Sequence, residues 1–184
     1  MSIAYKIAVL VYIFNSRGEM LLLHRRRPPN KDLYSPIGGK LEQAIGESPY
    51  ACALREIEEE VGLRLSLAEI RMVGIVSERA FPGAGGNDGS SGTAPTPAHW
   101  LMFCFEVTHP VDFSAREIEE GRLEWHPLEA LDALGIPKTD REVIWPLVRR
   151  HSAFLRGTHA SESFSVHIDC TDADNFKVTR EHPR

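Results

Sequence analysis

One stretch of the chain, GESPYACALREIEEEVGL from Gly46 to Leu63, most constrains how the protein folds. Ser48-Pro49 is a helix start, and Gly62 is the residue type that often follows a helix C-terminus. Four glutamates crowd the C-terminal half of the helix between them: Glu56, Glu58, Glu59 and Glu60. Each like-charged neighbour pair costs roughly 0.2–0.5 kcal/mol, and acids at that end also oppose the helix dipole. Because these acids destabilise the helix slightly, their presence indicates that the carboxylates have a function.

A helical wheel separates the apolar residues of this helix from its acids. The apolar stripe predicted to face a sheet consists of Tyr50, Leu54, Ile57 and Val61. The acids that share a different face are Glu56, Glu59 and Glu60. Converging carboxylates are the oxygen ligands that Mg²⁺ prefers, and Arg55 lies where its guanidinium can orient one of them. The alternative interpretation is a solvated acidic helix surface.

The rest of the chain alternates strand patterns with loops and ends in a further helix. The predicted strands are Ile7–Phe14, Glu19–Arg26, Ile70–Glu78, HWLMFCFEV and the start of GRLEWHPLEAL. The segment NSRG predicts a hairpin turn between the first two strands. TDREVIWPLVRRHSAFL predicts a helix in which Pro146 marks a start or a kink. We therefore expect an α+β fold with helices packed on a mixed sheet.

Length and composition fit a single domain over residues 1–184 of a soluble globular protein. We expect a core over about residues 3–151 and a C-terminal extension, 152–184, that contains a β-hairpin. The apolar run Ile7–Phe14 is too short to span a membrane, so we expect a cytoplasmic protein. Three cysteines follow no ligand spacing and are expected to be reduced and packed. The net charge of -5 argues against binding a nucleic acid polymer or an anionic membrane.

A segment rich in glycine, proline, serine and threonine, Phe81–Ala98, interrupts the strand pattern. Its composition does not bury enough apolar surface to form a packed element, which indicates a surface loop. Two interpretations stay open: a neutral insertion between two strands, or a segment that closes over a substrate.

The acidic helix resembles the signature of the Nudix hydrolase family, G-x5-E-x7-R-E-U-x-E-E-x-G-U, in which U is a bulky aliphatic residue. Glu47, seven further residues and then REIEEEVGL match every fixed position from the glutamate onward, and the preceding Gly38–Lys40 resembles the family's glycine loop. The chain departs from the motif in one place, because seven residues, KLEQAIG, separate Gly39 from Glu47 where the motif has five. This insertion leaves open the positions of Lys40 and of the Gly39 carbonyl.

This resemblance implies a Nudix α/β/α sandwich around a central mixed sheet, over about Ile3 to His151. It also implies hydrolysis of a nucleoside diphosphate linked to another group, with Mg²⁺ as cofactor and Mn²⁺ as a substitute. Glu59 and Glu60 would be metal ligands, and the Gly39 carbonyl would complete the shell. Glu56 would be a further ligand or the base that deprotonates the attacking water. Arg55 would hold Glu56, and Glu47 would lie in the outer shell.

Two further groups at the reaction centre follow from the same resemblance. A loop acid often completes the site, and Glu120 is preferred over Glu117 and Glu119 because it lies five residues before Trp125. A plain solvated acidic turn is the alternative. Among three consecutive arginines at the end of the second strand, Arg25 is expected to contact phosphate, and the other two are expected to be surface charges.

Fewer residues indicate where the nucleobase would bind. Tyr34 and Ser35 resemble positions near the nucleobase in MutT-type enzymes, and Ser35 and Lys40 are expected to contact substrate. Asp140 is expected to hydrogen-bond a purine edge, although capping of a helix N-terminus explains it equally well. Trp100, on a predicted central strand, is expected to belong to the core.

We therefore expect a Mg²⁺-dependent MutT-type diphosphatase that converts a purine nucleoside triphosphate, such as 8-oxo-dGTP, to the monophosphate and pyrophosphate. The enzymatic alternative cleaves ADP-ribose, a dinucleoside polyphosphate or a nucleotide sugar. A different class of protein is a non-catalytic Nudix module that senses a nucleotide. The expected partner is a small nucleotide, and the chain is expected to be a monomer or a homodimer.

Overall fold

The computed structural model describes residues 4–27, 30–79, 99–158, 162–172 and 174–183. The predicted loop Phe81–Ala98 lies outside these ranges. The strands, in chain order, are β1 (Tyr5–Tyr12), β2 (Met20–Arg25), β3 (Tyr34–Ser35), β4 (Ile70–Arg79), β5 (His99–Val107), β6 (Arg116–Ile118), β7 (Gly121–His126), β8 (Phe164–Asp169) and β9 (Lys177–His182). The α-helices are α1 (Pro49–Glu56), α2 (Trp145–His151) and α3 (Ala153–Arg156).

Two of these helices adjoin a π-helical turn, in which the backbone is wound more loosely than in an α-helix. Ile57–Val61 continues α1, and Asp140–Ile144 precedes α2. Short 3₁₀ turns occur at Gln43–Ile45, Leu67–Glu69 and Leu128–Ala133.

The larger sheet has five strands in the order β1-β5-β4-β8-β9. β1 runs parallel to β5 and β4 runs parallel to β8, whereas the β4–β5 and β8–β9 pairs are antiparallel. The predicted α+β fold with a mixed sheet is therefore confirmed. The strands β8 and β9 lie in the segment 152–184 and add two strands to the β4 edge of this sheet.

A smaller antiparallel sheet has the order β3-β2-β7-β6. The turn NSRG joins β1 to this sheet, as its sequence predicts. The Asn15 side-chain oxygen accepts hydrogen bonds from the backbone amides of Arg17 and Glu19, each at 2.9 Å, and Gly18 has a φ of 76°. An asparagine that bonds its own turn and a glycine at positive φ are what such a tight reversal needs.

Helices cover both faces of the larger sheet, because side chains alternate along its strands. On one face, Val9 and Val11 pack with Ile57 of the π-helical turn. On the opposite face, Tyr12 packs with Trp145 and with other residues of α2. The resulting layers leave the C-terminal part of the acidic helix beside the edge of β1.

The predicted apolar stripe of the acidic helix packs toward the sheet, but its first half is less deeply buried than its second. Tyr50 is 37% exposed, and Leu54 is only half-buried, whereas Cys52 and Ala53 are fully buried. Small side chains at these two positions let the helix approach the sheet closely. The Tyr50 ring instead meets the ring of Phe105 edge-on, with 4.8 Å between the centroids.

A buried carboxylate joins the sheet to the C-terminal helices. Glu106 of β5 has no exposed surface and accepts bonds from Arg71 at 2.8–2.9 Å, from the Ser152 hydroxyl at 2.5 Å and from the Ala153 amide at 2.9 Å. Arg71 also donates to the His151 carbonyl at 2.7 Å. The ion pair therefore fixes the junction of α2 and α3 against β4 and β5.

Cys52, Cys104 and Cys170 are free and buried, which confirms the prediction of packed thiols. Within the described ranges, no helix has both the length and the apolar character needed to cross a membrane.

The buried ion pair predicts a large loss of stability when only one partner is removed. Arg71→Met leaves the Glu106 carboxylate buried without its cation, which should lower the free energy of unfolding by about 3–5 kcal/mol. The control is Arg64→Met, because Arg64 pairs with the exposed Glu58 at the surface and should cost about 1 kcal/mol or less. Urea unfolding measures both, and equal losses would contradict the proposed role of Glu106.

Candidate functional site

The acidic helix has well-defined ends that fix its direction. The Ser48 hydroxyl accepts a hydrogen bond from the Ala51 amide at 3.1 Å, and Pro49 occupies the first turn. Gly62, with a φ of 70°, ends the π-helical turn, and its amide donates to the Glu58 carbonyl at 2.9 Å. These ends agree with the sequence prediction of a helix from Ser48-Pro49 to about Gly62.

Arg55 is the centre of an ion-pair network on this helix. Its guanidinium donates to both oxygens of Glu47, at 2.8 and 3.0 Å, and to Glu56 at 2.7 Å. It also reaches Glu59 at 3.0 Å and the Lys40 carbonyl at 3.3 Å. One cation thereby offsets the repulsion among three carboxylates and ties the loop before the helix to the helix itself.

The three acids predicted to converge separate into two environments. Glu56 and Glu60 are buried, whereas the Glu59 side chain is 59% exposed beside Arg55. The difference follows from the π-helical turn, since its looser winding rotates the residues after Glu56 away from the positions of an ideal α-helix. Glu60 therefore joins Glu56 on the inner side, and Glu59 does not.

Glu120 approaches the same two acids from the start of β7. The pKa of Glu60 is raised to about 9, mainly by burial and also by a hydrogen bond with Glu120 and by the charges of Glu120 and Glu56. Burial also raises the pKa of Glu56, which Arg55 partly opposes. These three carboxyls repel one another, and Glu60 has one buried oxygen, Oε1, without a hydrogen-bond partner in the described part of the chain.

The glycine loop passes between this acidic helix and β1. The Gly38 amide donates to Glu60 Oε2 at 3.3 Å, and the Gly39 carbonyl accepts from the Val9 amide at 2.9 Å. A side chain on Gly39 would lie 2.3 Å from Glu56 Oε1, and one on Gly38 would lie 2.1 Å from the Val9 carbonyl oxygen. Both glycines are needed because the loop, the carboxylate and the strand approach so closely.

A cavity of about 490 Å³ opens next to these groups. It brings together most of the residues that the sequence predicts for the reaction and for substrate binding: Arg25, Ser35, Gly39, Lys40, Glu56, Glu120 and Asp140. Arg55, Glu47, Glu59 and Glu60 are not among its lining residues. Arg55 and Glu60 act on the cavity through their contacts with Glu56 and Gly38.

The two arginines that follow Arg25 form surface ion pairs. Arg26 lies 2.5 Å from Glu117, and Arg27 lies 3.0 Å from Glu119. These pairs leave Glu120 as the acid of this turn that lines the cavity.

Ser35 and Tyr34, neighbours in sequence, have different surroundings. The Ser35 hydroxyl lines the cavity and is buried without a hydrogen-bond partner among the described residues. Tyr34 is not a lining residue, and its hydroxyl donates to Glu124 at 2.8 Å. A buried hydroxyl that lacks a partner and faces a cavity is suited to a polar ligand.

Sequence reasoning missed Glu78 and assigned Trp100 to the core. Both line the cavity, and they are paired across β4 and β5. Glu78 has a partial signal, since it is an acid in a strand whose other residues are mostly apolar. Trp100 has none, because a half-buried aromatic residue on a central strand has the same local pattern as a core residue.

The donor set suits a hard divalent cation. Glu56, Glu60 and Glu120 supply carboxylate oxygens, the ligand type that Mg²⁺ prefers, and the orphaned Glu60 oxygen is an acceptor that lacks a positive partner. In the described ranges, the side chains as oriented form no group of three or more His, Cys, Asp or Glu residues that could hold a metal ion. The chemistry of the residues therefore fits Mg²⁺, and closing a shell requires these side chains to turn toward one point.

Comparisons with known proteins agree with the fold and the helix. A family model, the NUDIX domain, matches residues 4–149. The uncharacterized Nudix hydrolase YvcI of Bacillus subtilis is 24% identical over 146 residues, which are 79% of this chain and 81% of that protein. An octanoyltransferase of Myxococcus xanthus is 41% identical over 64 residues, 34% of this chain, and the match spans only 17% of that protein.

Solved structures share the architecture. A MutT protein from Bacillus halodurans superposes with a TM-score of 0.66 at 19% identity, over 97% of this chain and 99% of its own. The NUDIX domain of Shewanella oneidensis NrtR, solved with ADP ribose, has a TM-score of 0.58 at 14% identity, over 81% and 88%. At such identities the likeness is one of fold.

The Glu47–Arg55 pair predicts a specific loss of stability in acid. Arg55 holds the pKa of Glu47 at about 2, below its ordinary value of 4.5, so this carboxylate stabilises the fold above pH 4.5. That contribution is lost as the pH falls from 4.5 toward 2. In urea unfolding between pH 6 and pH 2.5, the parent should therefore lose more stability than Glu47→Gln. Glu129→Gln, an exposed acid, should follow the parent, and parallel curves for all three proteins would contradict the assignment.

Proposed function

The chain belongs to the NUDIX domain family and is a Nudix hydrolase, and from that premise we propose that it converts a purine nucleoside triphosphate, such as 8-oxo-dGTP, to the monophosphate and pyrophosphate with Mg²⁺. The observation that carries this proposal is the combination of acidic and basic side chains that line one cavity. Glu56 and Glu120 line it together with Arg25 and Lys40, and Asp140 comes from the start of the second helix. Acids and cations together suit a phosphate chain, and the Asp140 carboxyl, which belongs to a different element, suits a nucleobase.

In this proposal Glu56, Glu60 and Glu120 hold the metal, and the exposed Glu59 carboxylate joins them on turning away from Arg55. When bound, Mg²⁺ would neutralise charge on the phosphates and lower the pKa of the attacking water. The Gly38 amide holds Glu60 Oε2, so this carboxylate is oriented before any ligand arrives. The Gly39 carbonyl accepts a hydrogen bond from the Val9 amide at 2.9 Å and a weak one from the Cys52 thiol at 4.0 Å, and a metal would replace the weak thiol contact.

The remaining roles belong to side chains that face the cavity. Glu56 or Glu120 accepts the proton of the attacking water, and Arg55 keeps Glu56 in place while it does so. Arg25 and Lys40 contact the phosphates, and the unpartnered Ser35 hydroxyl donates to a phosphate or sugar oxygen. Asp140 accepts hydrogen bonds from the base. Glu47 fixes Arg55 from outside the cavity.

The proposal is tested by identifying products from a panel of nucleotides in the presence of Mg²⁺. Nucleoside triphosphates should release pyrophosphate and the monophosphate. Because the NrtR NUDIX domain was solved with ADP ribose, the panel includes ADP-ribose, together with a dinucleoside polyphosphate and a nucleotide sugar. Faster turnover of any of these three than of every triphosphate would reject the proposed reaction.

A matched pair of glutamate variants tests the acidic group. Glu60→Gln removes a proposed metal ligand and should lower kcat by about a hundredfold or more, the scale on which loss of one electrostatic contact to the transition state acts. Glu58→Gln, two residues away, affects an exposed side chain that pairs with Arg64, and it should leave kcat within about twofold. Steady-state assays with circular dichroism of both variants make this comparison, and equal effects would contradict the assignment of Glu60.

The two glycines should separate activity from stability. In Gly39→Ala the new methyl group meets the end of the flexible Glu56 side chain, so the carboxylate moves aside and activity falls while stability is nearly kept. In Gly38→Ala the methyl group meets the backbone of β1, and φ is 144°, so stability falls by about 1–3 kcal/mol. Thermal unfolding and kcat of both variants measure this, and a stable, fully active Gly39→Ala protein would contradict the tight contact with Glu56.

A further inference from the structure

The C-terminal end of the acidic helix is bound by an arginine from another element. Arg116, the first residue of β6, donates a hydrogen bond from Nη2 to the backbone carbonyl of Val61. Val61 is buried, follows Glu60 directly and is the last residue of the π-helical turn. The last carbonyls of a helix have no partner inside the helix, and a cation beside them is favourable because the helix dipole is negative there. Arg116 therefore satisfies a carbonyl in the turn that carries Glu59 and Glu60.

The approach of Arg116 depends on the glycine that follows this turn. A Cβ atom on Gly62 would lie 3.3 Å from Arg116 Nη2, so a side chain at this position would crowd the guanidinium. The φ of 70° at Gly62 also lets the helix end there. Gly62 thus both ends the helix and leaves room for the cation that binds its last carbonyl.

Two aromatic side chains hold Arg116 in this position. Its guanidinium carbon lies over the face of the Phe113 ring, 5.2 Å from the centroid. The Phe113 and Trp125 rings pack with 5.1 Å between their centroids, and the Trp125 indole N–H donates to the Phe113 carbonyl at 2.8 Å. Because Trp125 belongs to β7, these contacts orient Arg116 from the side of the β6–β7 hairpin and not from the helix.

The same hairpin carries Glu120. β6 pairs with β7 from Arg116 to Ile118, and Glu120 lies in the two-residue turn between the strands. The Glu120 carbonyl accepts a hydrogen bond from the Arg26 amide at 2.9 Å, and the Arg26 side chain lies 2.5 Å from Glu117. These contacts fix the turn to the end of β2, so the hairpin is a firm support for whatever Arg116 binds.

Arg116 thus joins the two elements from which the proposed metal ligands come. Glu56 and Glu60 belong to the acidic helix, whereas Glu120 belongs to the hairpin. Glu120 lines the cavity together with Glu56 and Gly38, and the Gly38 amide binds Glu60. Arg116 does not line the cavity, and it connects the two elements through groups that are not proposed ligands. The spacing between the helix acids and Glu120 therefore depends on a contact outside the cavity.

We propose that Arg116 is a positioning residue that fixes the end of the acidic helix against the β6–β7 hairpin, and so sets the geometry in which Glu60 and Glu120 bind one metal ion. This inference rests on the proposed function in its metal site alone, because it assumes that these two acids share an ion. It does not depend on which nucleotide is hydrolysed.

Titration with Mn²⁺ in the absence of nucleotide, followed by electron paramagnetic resonance, tests this role without turnover. Arg116→Met keeps an apolar chain over the Phe113 ring but removes the donors, and it should weaken Mn²⁺ binding by about tenfold, the lower end of the loss expected when a residue that supports a metal ligand is removed. Arg116→Lys keeps a charged donor and should recover the affinity to within about threefold of the parent.

The matched control is Arg122→Met on the same hairpin. Arg122 pairs with Glu124 at 3.2 Å and lies 3.9 Å from Glu117, so its ion pairs stay within β6 and β7. This variant should leave the Mn²⁺ affinity within about twofold of the parent. Arg116 and Arg122 are both exposed, so we expect both Met variants to fold, and urea unfolding measures the stability of each.

A double-mutant cycle separates positioning from a general weakening of the protein. In a Glu120→Gln background, the spacing between Glu60 and residue 120 no longer serves the metal. Arg116→Met should therefore weaken Mn²⁺ binding there by no more than about twofold. A purely structural role would give the same factor in both backgrounds.

A folded Arg116→Met protein that binds Mn²⁺ as tightly as the parent would overturn the inference, as would equal losses in the two backgrounds. If Arg116→Met does not fold, Phe113→Leu decides, because it removes the ring beneath the guanidinium and should weaken Mn²⁺ binding by about threefold. Unchanged affinity in that variant would then overturn the inference. If the Mn²⁺ affinities follow these expectations but no triphosphate is hydrolysed, the proposed reaction fails and the role of Arg116 stands.

Discussion

The Arg55 guanidinium is the interaction on which the arrangement of the site depends. It binds Glu47, Glu56 and Glu59 and reaches the carbonyl of Lys40. Without this cation, the acids on one side of the helix would repel one another, and the loop before the helix would lose its polar anchor. The Glu47 side chain is only 7% exposed, so its bidentate pair with Arg55 is better shielded from water than an ordinary surface ion pair.

The rigid parts of the fold bring this helix to the cavity. β1 lies at the edge of the larger sheet, and its backbone bonds the glycine loop through Val9. The Glu56 carboxylate occupies the space that a side chain on Gly39 would need. The loop and the helix can therefore approach each other this closely only because residue 39 is a glycine. The smaller sheet contributes Arg25 and Glu120 from neighbouring strand ends. A site that draws on both sheets, a loop and a helix depends on the whole domain being folded.

Local patterns predicted the elements of the fold better than the orientations of their side chains. The ends of the acidic helix follow from Ser48, Pro49 and Gly62, because caps act within a few residues. The wheel placed Glu59 with Glu60, because it assumed ideal winding and a π-helical turn has no comparable local signal. Glu78 was missed for another reason: an acid in a strand does not by itself show which side chains from distant segments surround it, and Thr139 and Cys170 are far from it in sequence.

The charged side chains that line the cavity are of two kinds. The carboxylates of Glu56 and Glu120 line it together with the cations Arg25 and Lys40, and this combination suits a polyanion bound with a metal cation. Glu78 and Asp140, which also line the cavity, have raised pKa values, and no basic side chain of the described residues lowers them. A phosphate chain gains least from two carboxyls without a cation, whereas a neutral ring with polar edges can hydrogen-bond to them. The proposed orientation, phosphates toward Glu56 and nucleobase toward Asp140, agrees with this asymmetry, since the reverse would separate the phosphates from Arg25 and Lys40.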